Sequence, residues 1–156
     1  NIPLIESPWV EWIKNTTPVA QAVTPDGSVC KSYSISQYAC PVQAFVTEGG
    51  SYETSSELVD QYLSTLPLHE GEAEPRYNMM AWYDESAQLY YQVYIPRGKH
   101  RPDCYYATDD SQMLISPGAL DMAGHIVCIR RTDFTRLDDA SIIERILKET
   151  GSQPLS

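Results

Sequence analysis

Apolar positions along the chain change their spacing several times, and each spacing predicts a different element. Leu89, Tyr91, Val93 and Ile95 alternate with Gln88, Tyr90, Gln92 and Tyr94, which is the period of a strand with one face on a core. The aromatic run Tyr77 to Tyr83 predicts a second strand, and Asp84-Glu85-Ser86-Ala87 between the two is a hairpin turn. A shorter strand is expected over Val42 to Glu48, ending at Gly49-Gly50. Leu58, Val59, Tyr62, Leu63 and Leu66 fall at i, i+1, i+4, i+5 and i+8, one face of a helix that Pro67 stops. Thr54-Ser55-Ser56-Glu57 ahead of them has the form of a capping box.

Further along, Gln112 to Ile115 and His125 to Arg130 predict two more strands, joined by a small-residue link with room for a short helix. Ile142, Ile143, Ile146 and Leu147 predict a final helix, capped by Asp138, stapled by Leu137 against Ile142 and ended by Gly151. Pro3, Pro8, Pro18, Pro25 and Pro41 make long regular elements unexpected near the N-terminus, apart from a helical turn or anchoring patch at Trp9, Val10, Trp12 and Ile13. The sum is an α+β fold: a mainly antiparallel sheet with two helices over 42–156, preceded by an irregular segment, 1–41, packed on the core.

Composition adds limits. With 156 residues, 42% of them apolar, the chain is long enough to bury a core as one domain. A formal net charge of -10 argues against nonspecific binding to nucleic acid or an anionic membrane. No apolar run approaches the roughly 20 residues that span a bilayer, and no secretory signal opens the chain, so a soluble cytoplasmic protein is expected. It begins at Asn1 without an initiator Met, as a fragment or processed product would. Cys30, Cys40, Cys104 and Cys128 lack metal-ligand spacing and read as reduced structural thiols, with Cys128 buried between Val127 and Ile129. No metal or cofactor is expected.

Charge placement is the strongest chemical signal. Residues 1–96 hold three Lys/Arg against twelve Asp/Glu, net -9, whereas 97–156 hold eight against nine, net -1. Within Ile95-Pro96-Arg97-Gly98-Lys99-His100-Arg101-Pro102 three fixed cations and an imidazole stand together. Arg97 and Arg101 can fork onto phosphate oxygens, Lys99 adds a compact charge, and Gly98 lets the backbone approach. A solvated basic turn is the plain alternative. His100 can donate to phosphate or exchange a proton near neutral pH. His69 amid Glu70, Glu72 and Glu74 reads as a surface residue, and His125 as a structural one. Asp109-Asp110 and Asp138-Asp139 read as a loop and a cap. Asp121 lies between Leu120 and Met122 and needs a partner, for which Arg97 or His100 is the natural choice.

The blocks Tyr77-Asn78-Met79-Met80, Tyr94 to Pro102, Leu114-Ile115-Ser116-Pro117 and Asp121-Met122-Ala123-Gly124 together carry a resemblance. From about Val42 to Thr150 the chain resembles the C-terminal half of a bacterial branch of the histidine-triad superfamily. That branch is related to galactose-1-phosphate uridylyltransferase, GDP-galactose phosphorylase and diadenosine tetraphosphate phosphorylase. In such relatives two similar α+β halves combine, and a His-x-His-x-Gln motif of the first half supplies the histidine that attacks an α-phosphate. That motif is absent here, and no pair among His69, His100 and His125 has its spacing.

The resemblance therefore implies half of a nucleotidyltransferase or phosphorylase acting on a nucleoside phosphate or sugar nucleotide. The half is inactive alone and takes its nucleophile from the missing N-terminal half. Arg97, Lys99, His100 and Arg101 would meet the phosphates, with Ser116 and Asp121 as secondary candidates. The rival expectation is a noncatalytic interaction module whose basic turn docks a partner, or a half that only completes a fold or a homodimer.

Overall fold

The computed structural model describes residues 3–49 and 52–152. Among them five strands, β1 (Ala20–Val23), β2 (Val29–Ile35), β3 (Val42–Glu48), β4 (Tyr77–Asp84) and β5 (Leu89–Pro96), form one antiparallel sheet in the order β1-β2-β3-β5-β4. The helices are α1 (Pro3–Lys14), α2 (Ser56–Leu63), α3 (Ala119–Met122), α4 (Arg131–Arg136) and α5 (Ala140–Thr150). The fold class is the α+β expected, with more helices than the two predicted.

The N-terminal segment departs most from expectation. Far from irregular, it supplies α1 and the first two strands, and β2 is paired along its whole length with β3. Pro8 lies inside α1, yet Trp9 and Ile13, one turn apart, are buried on the sheet at 2% and 4% exposure. Packing of that face outweighs the hydrogen bond that Pro8 removes.

Register explains how the sheet is covered. Ala44 lies opposite Val93 and Tyr33, so the side chains of 42, 44 and 46 on β3 share a face with 91, 93 and 95 on β5. This face meets Trp9, Ile13, Met122 and Leu147 from α1, α3 and α5. The opposite face carries Cys30, Phe45 and Tyr94 and meets Leu58 and Val59 of α2. Every residue of β5 from Tyr91 to Pro96 is consequently buried, and the one-sided sheet predicted from the alternation is corrected to a sheet covered on both faces at its centre. The polar members of the second face remain paired: Gln92 donates through Nε2 to Ser55 Oγ at 2.8 Å and accepts from the Tyr94 hydroxyl at 3.1 Å.

That bond also displaces the predicted capping box. Tyr52–Ser55 forms a 3-10 turn, Ser55 has helical backbone angles, and its hydroxyl serves Gln92 instead of a cap. The hairpin turn is as predicted. Asp84 Oδ1 accepts from Ser86 N, Ser86 Oγ and Ala87 N, and Gln88 takes a left-handed φ of 56° to enter β5. For α5 the cap is Asp139, which accepts from Ser141 N at 2.9 Å, and not Asp138.

The two strands expected over 112–115 and 125–130 do not form. Met113 and Ile115 are buried as a strand pattern requires, but side chains take over the work of a ladder. The Gln112 carbonyl accepts from Arg130 Nη2 and Arg136 Nη1, while Leu114 N donates to Asp133 Oδ2 at 3.0 Å. Arg130 also forks onto Asp133 at 2.8 and 2.9 Å. In the second stretch Val127 and Ile129 face solvent at 58% and 74% exposure, and Cys128 between them is half-buried, not buried. Among the described residues no helix is long and apolar enough to cross a membrane.

After Pro96 the chain leaves the sheet and runs against the end of α5. Gly98 N donates to Thr150 O at 3.0 Å and Ser152 N to Pro96 O at 3.0 Å. A side chain at Gly98 would stand 2.9 Å from Gly151 O, and one at Gly151 would stand 2.5 Å from Cys40 Cβ and 2.6 Å from its sulfur. Two glycines therefore make this close seam possible.

Gly151→Ala is expected to cost about 1–3 kcal/mol in urea unfolding, the usual range for overpacking a filled core. Adding Cys40→Ala should not restore it, because the Cys40 Cβ itself blocks the new methyl. Asp133 gives a pH signature. Its hydrogen bond from Arg130, helped by Leu114 N, holds its carboxyl below the ordinary range, outweighing burial. Stability from this group is complete above the ordinary aspartate value and is lost as pH falls through the lower folded value. The margin of the wild type over Asp133→Asn should thus be constant near neutrality and shrink below about pH 4, read by thermal unfolding across pH.

Candidate functional site

Tyr77 pairs with Pro96, so the start of β4 and the end of β5 meet at one end of the sheet. Arg97 N extends the pairing by donating to Arg76 O at 2.8 Å. Where the two strands part, a cleft of about 540 Å³ opens, with Arg76, Asn78, Arg97, Lys99 and His100 on its walls and Pro117-Gly118 across from them. This volume is in the range of small-molecule sites. Of the six residues expected from the sequence, three line it: Arg97, Lys99 and His100.

Arg97 is the interior wall. Only 6% exposed, it donates through Nη1 to Pro117 O at 2.6 Å and through Nη2 to Lys99 O at 2.9 Å and His100 O at 3.0 Å. All these acceptors are neutral carbonyls, and no carboxylate pairs with it among the described residues. Burial pulls the guanidinium below its ordinary value, partly offset by the field of Cys40, Tyr38 and Asp121; an arginine still keeps its charge there. The cleft thus has behind its surface a buried cation that no carboxylate bonds directly.

The other cations are partly engaged. Lys99 Nζ bridges Asp103 at 2.8 Å and Glu149 at 3.0 Å, which raises its pKa and ties the turn to α5. It is nevertheless 46% exposed. Arg76 is forked by Glu72 and His100 stands in solvent on the cleft wall. Arg101 turns away: its guanidinium lies 4.1 Å from the centre of the Tyr105 ring and its Nε donates to Ser116 Oγ at 3.2 Å. Arg101 and Ser116 therefore pair with each other beside the cleft.

Asp121 does not meet Arg97 or His100 as partners. Its Oδ2 accepts from Gly118 N at 2.9 Å and its Oδ1 from Val127 N at 2.7 Å. Backbone donors on either side of α3 satisfy this buried carboxylate, and in doing so they fix the loop that presents Pro117 to Arg97. His69 is half-buried, with Nε2 3.4 Å from Arg97 O, and His125 lies in the coil after α3, not at the head of a strand.

Arg76 and Asn78 were missed in the sequence. Arg76 is one of three cations in the first 96 residues, which was a usable signal. Asn78 Nδ2 is buried with no hydrogen-bond partner, a donor left unused at the cleft wall. Among the described residues no group of three or more His, Cys, Asp or Glu side chains could hold a metal ion. The arrangement can bind and neutralise an anion; it contains no nucleophile with an adjacent base.

Arg97→Ala leaves three carbonyls without their donor and is expected to destabilise the chain by roughly 2–5 kcal/mol in urea unfolding. Arg97→Lys should recover little of this, because one ammonium cannot reach both sides of the fork.

No protein-family model, no curated protein and no solved structure matches this chain.

Proposed function

We propose that the chain is the C-terminal half of a nucleotidyltransferase or phosphorylase of the histidine-triad type, and that the cleft at the end of β4 and β5 receives the phosphates of a nucleoside phosphate or sugar nucleotide. One observation carries this reading: a buried guanidinium without a carboxylate and a buried amide donor without an acceptor border the same cleft. An anion there would lie in the field of the first and offer an acceptor to the second, and such interactions are strong where water is excluded. Lys99, Arg76 and His100 at the rim would neutralise the remaining charge. The nucleophilic histidine would come from a His-x-His-x-Gln segment outside these 156 residues, so the role of this half is binding and charge neutralisation.

A second reading is favoured by a different observation. Arg97 is engaged by three carbonyls, Lys99 by two carboxylates and Arg101 by Tyr105 and Ser116. On this reading the basic run is a packing device in a noncatalytic interaction module.

Calorimetric titration of the chain with GDP, ATP and a sugar nucleotide separates the two. Binding is expected, and Asn78→Asp, which replaces the free donor by a carboxylate of the same shape, should weaken it at least about tenfold, as should Lys99→Ala combined with His100→Ala. Absence of binding to all three ligands, or unchanged affinity in both variants, removes the nucleotide reading and leaves the packing module. In the parent protein the same reading requires an acid-labile nucleotidyl adduct.

A further inference from the structure

The cationic cleft has a neighbour of opposite character. A trough of about 500 Å³, lined by Leu63, Leu66, Leu68, Ala73, Pro75 and Tyr77, adjoins it, and Glu74, Pro75 and Tyr77 belong to both walls. Leu66 is buried, but Leu68 is 62% exposed and Tyr77 36%, so the trough presents large apolar surface to solvent. The Ser64 hydroxyl on its lining is already committed to Gln61 O at 2.6 Å. Among the described residues Glu74 is the only charged one on its lining, and it lies on the shared wall.

Apolar surface beside a cation that no carboxylate bonds directly matches a ligand with both characters in one molecule. Tyr77 fixes which kind. Its ring packs 5.3 Å from that of Tyr94, which is itself wedged edge-on against Phe45 at 5.6 Å, so the Tyr77 ring is braced from behind and open in front. A held aromatic ring at the boundary between the two compartments is a platform for a flat ring whose substituent carries phosphate.

We infer that the trough is the base subsite: the ligand is a nucleoside phosphate whose base lies against Tyr77 and Pro75 in the apolar trough while its phosphates enter the cleft beside Arg97 and Asn78. This builds on the reading of the cleft as a phosphate site and extends it. The base, not the sugar, then provides the affinity beyond that of the phosphates, and simple sugar phosphates are poor ligands. Tyr77 is a specificity residue and touches no reacting atom.

The test compares ligands that share the anion and differ in what it carries: pyrophosphate, ribose 5-phosphate, hexyl phosphate and the nucleoside diphosphates GDP and ADP, titrated into the whole chain. A nucleoside diphosphate should bind on the order of tenfold or more tighter than pyrophosphate. Tyr77→Ala should abolish that advantage, Tyr77→Phe should keep it, and Leu68→Glu, a change at an exposed position that lines only the trough, should reduce it. Equal affinity for pyrophosphate and nucleoside diphosphates, or nucleotide affinity unaltered in Tyr77→Ala and Leu68→Glu, overturns the base subsite while the phosphate cleft stands. Hexyl phosphate binding as tightly as a nucleotide overturns the assignment of a base. Failure of every ligand to bind overturns both the subsite and the cleft.

Discussion

A single buried guanidinium holds together the parts of this molecule that are distant in sequence. Arg97 stands where β5 leaves the sheet, and its donors reach the turn that follows and the 117 carbonyl twenty residues on. A charge in that position is tolerable because all three of its nitrogens are bonded, and the groups that accept from them are backbone carbonyls with no charge of their own. The turn, the loop before α3 and the end of the sheet are therefore fixed by one side chain. The cationic field reaching the cleft is the residue of an incomplete neutralisation.

Around that point the fold supplies rigidity from both sides. The middle of β5 is covered by α1, α3 and α5 on one face and by α2 on the other, with the buried polar pair Gln92 and Tyr94 satisfied through Ser55. Asp121 performs the same service one layer out, since its two oxygens bind backbone N–H groups at 118 and 127 and hold Pro117 in place. The walls of the cleft are thus set by strands, by a clamped loop and by the seam between Gly98 and Gly151. A ligand entering it meets donors that are already in place, which is the condition for binding without a large ordering cost.

Much of this was legible in the sequence. The hairpin, β3, α2 and α5 announce themselves through period and turn chemistry, because in each the local preference and the tertiary environment agree. The failures occur where backbone needs are met from a distance. Met113 and Ile115 have strand-like burial, but Arg130, Arg136 and Asp133 take the places of a neighbouring strand, and no local pattern reports that. Prolines in the first forty residues hid α1 and β2, since Pro8 costs one helical bond while Trp9 and Ile13 gain a full buried face. At the site the cluster of positive charge could be read but its division of labour could not. Nothing near Arg97 in sequence distinguishes it from Arg101, yet one is buried under three carbonyls and the other lies on a tyrosine.

The wedge of Cys40 against Gly151 has one more consequence. Burial raises the Cys40 thiol to about 11, so at neutral pH almost none of it is the reactive thiolate, and only 6% of the residue is exposed. Cys104 and Cys128 are half-buried and more accessible. Alkylation of Cys40 therefore has to wait for the end of α5 to lift away from the strand that leads into the cleft. Its labelling rate is a clock, already present in the natural sequence, for how often that seam opens.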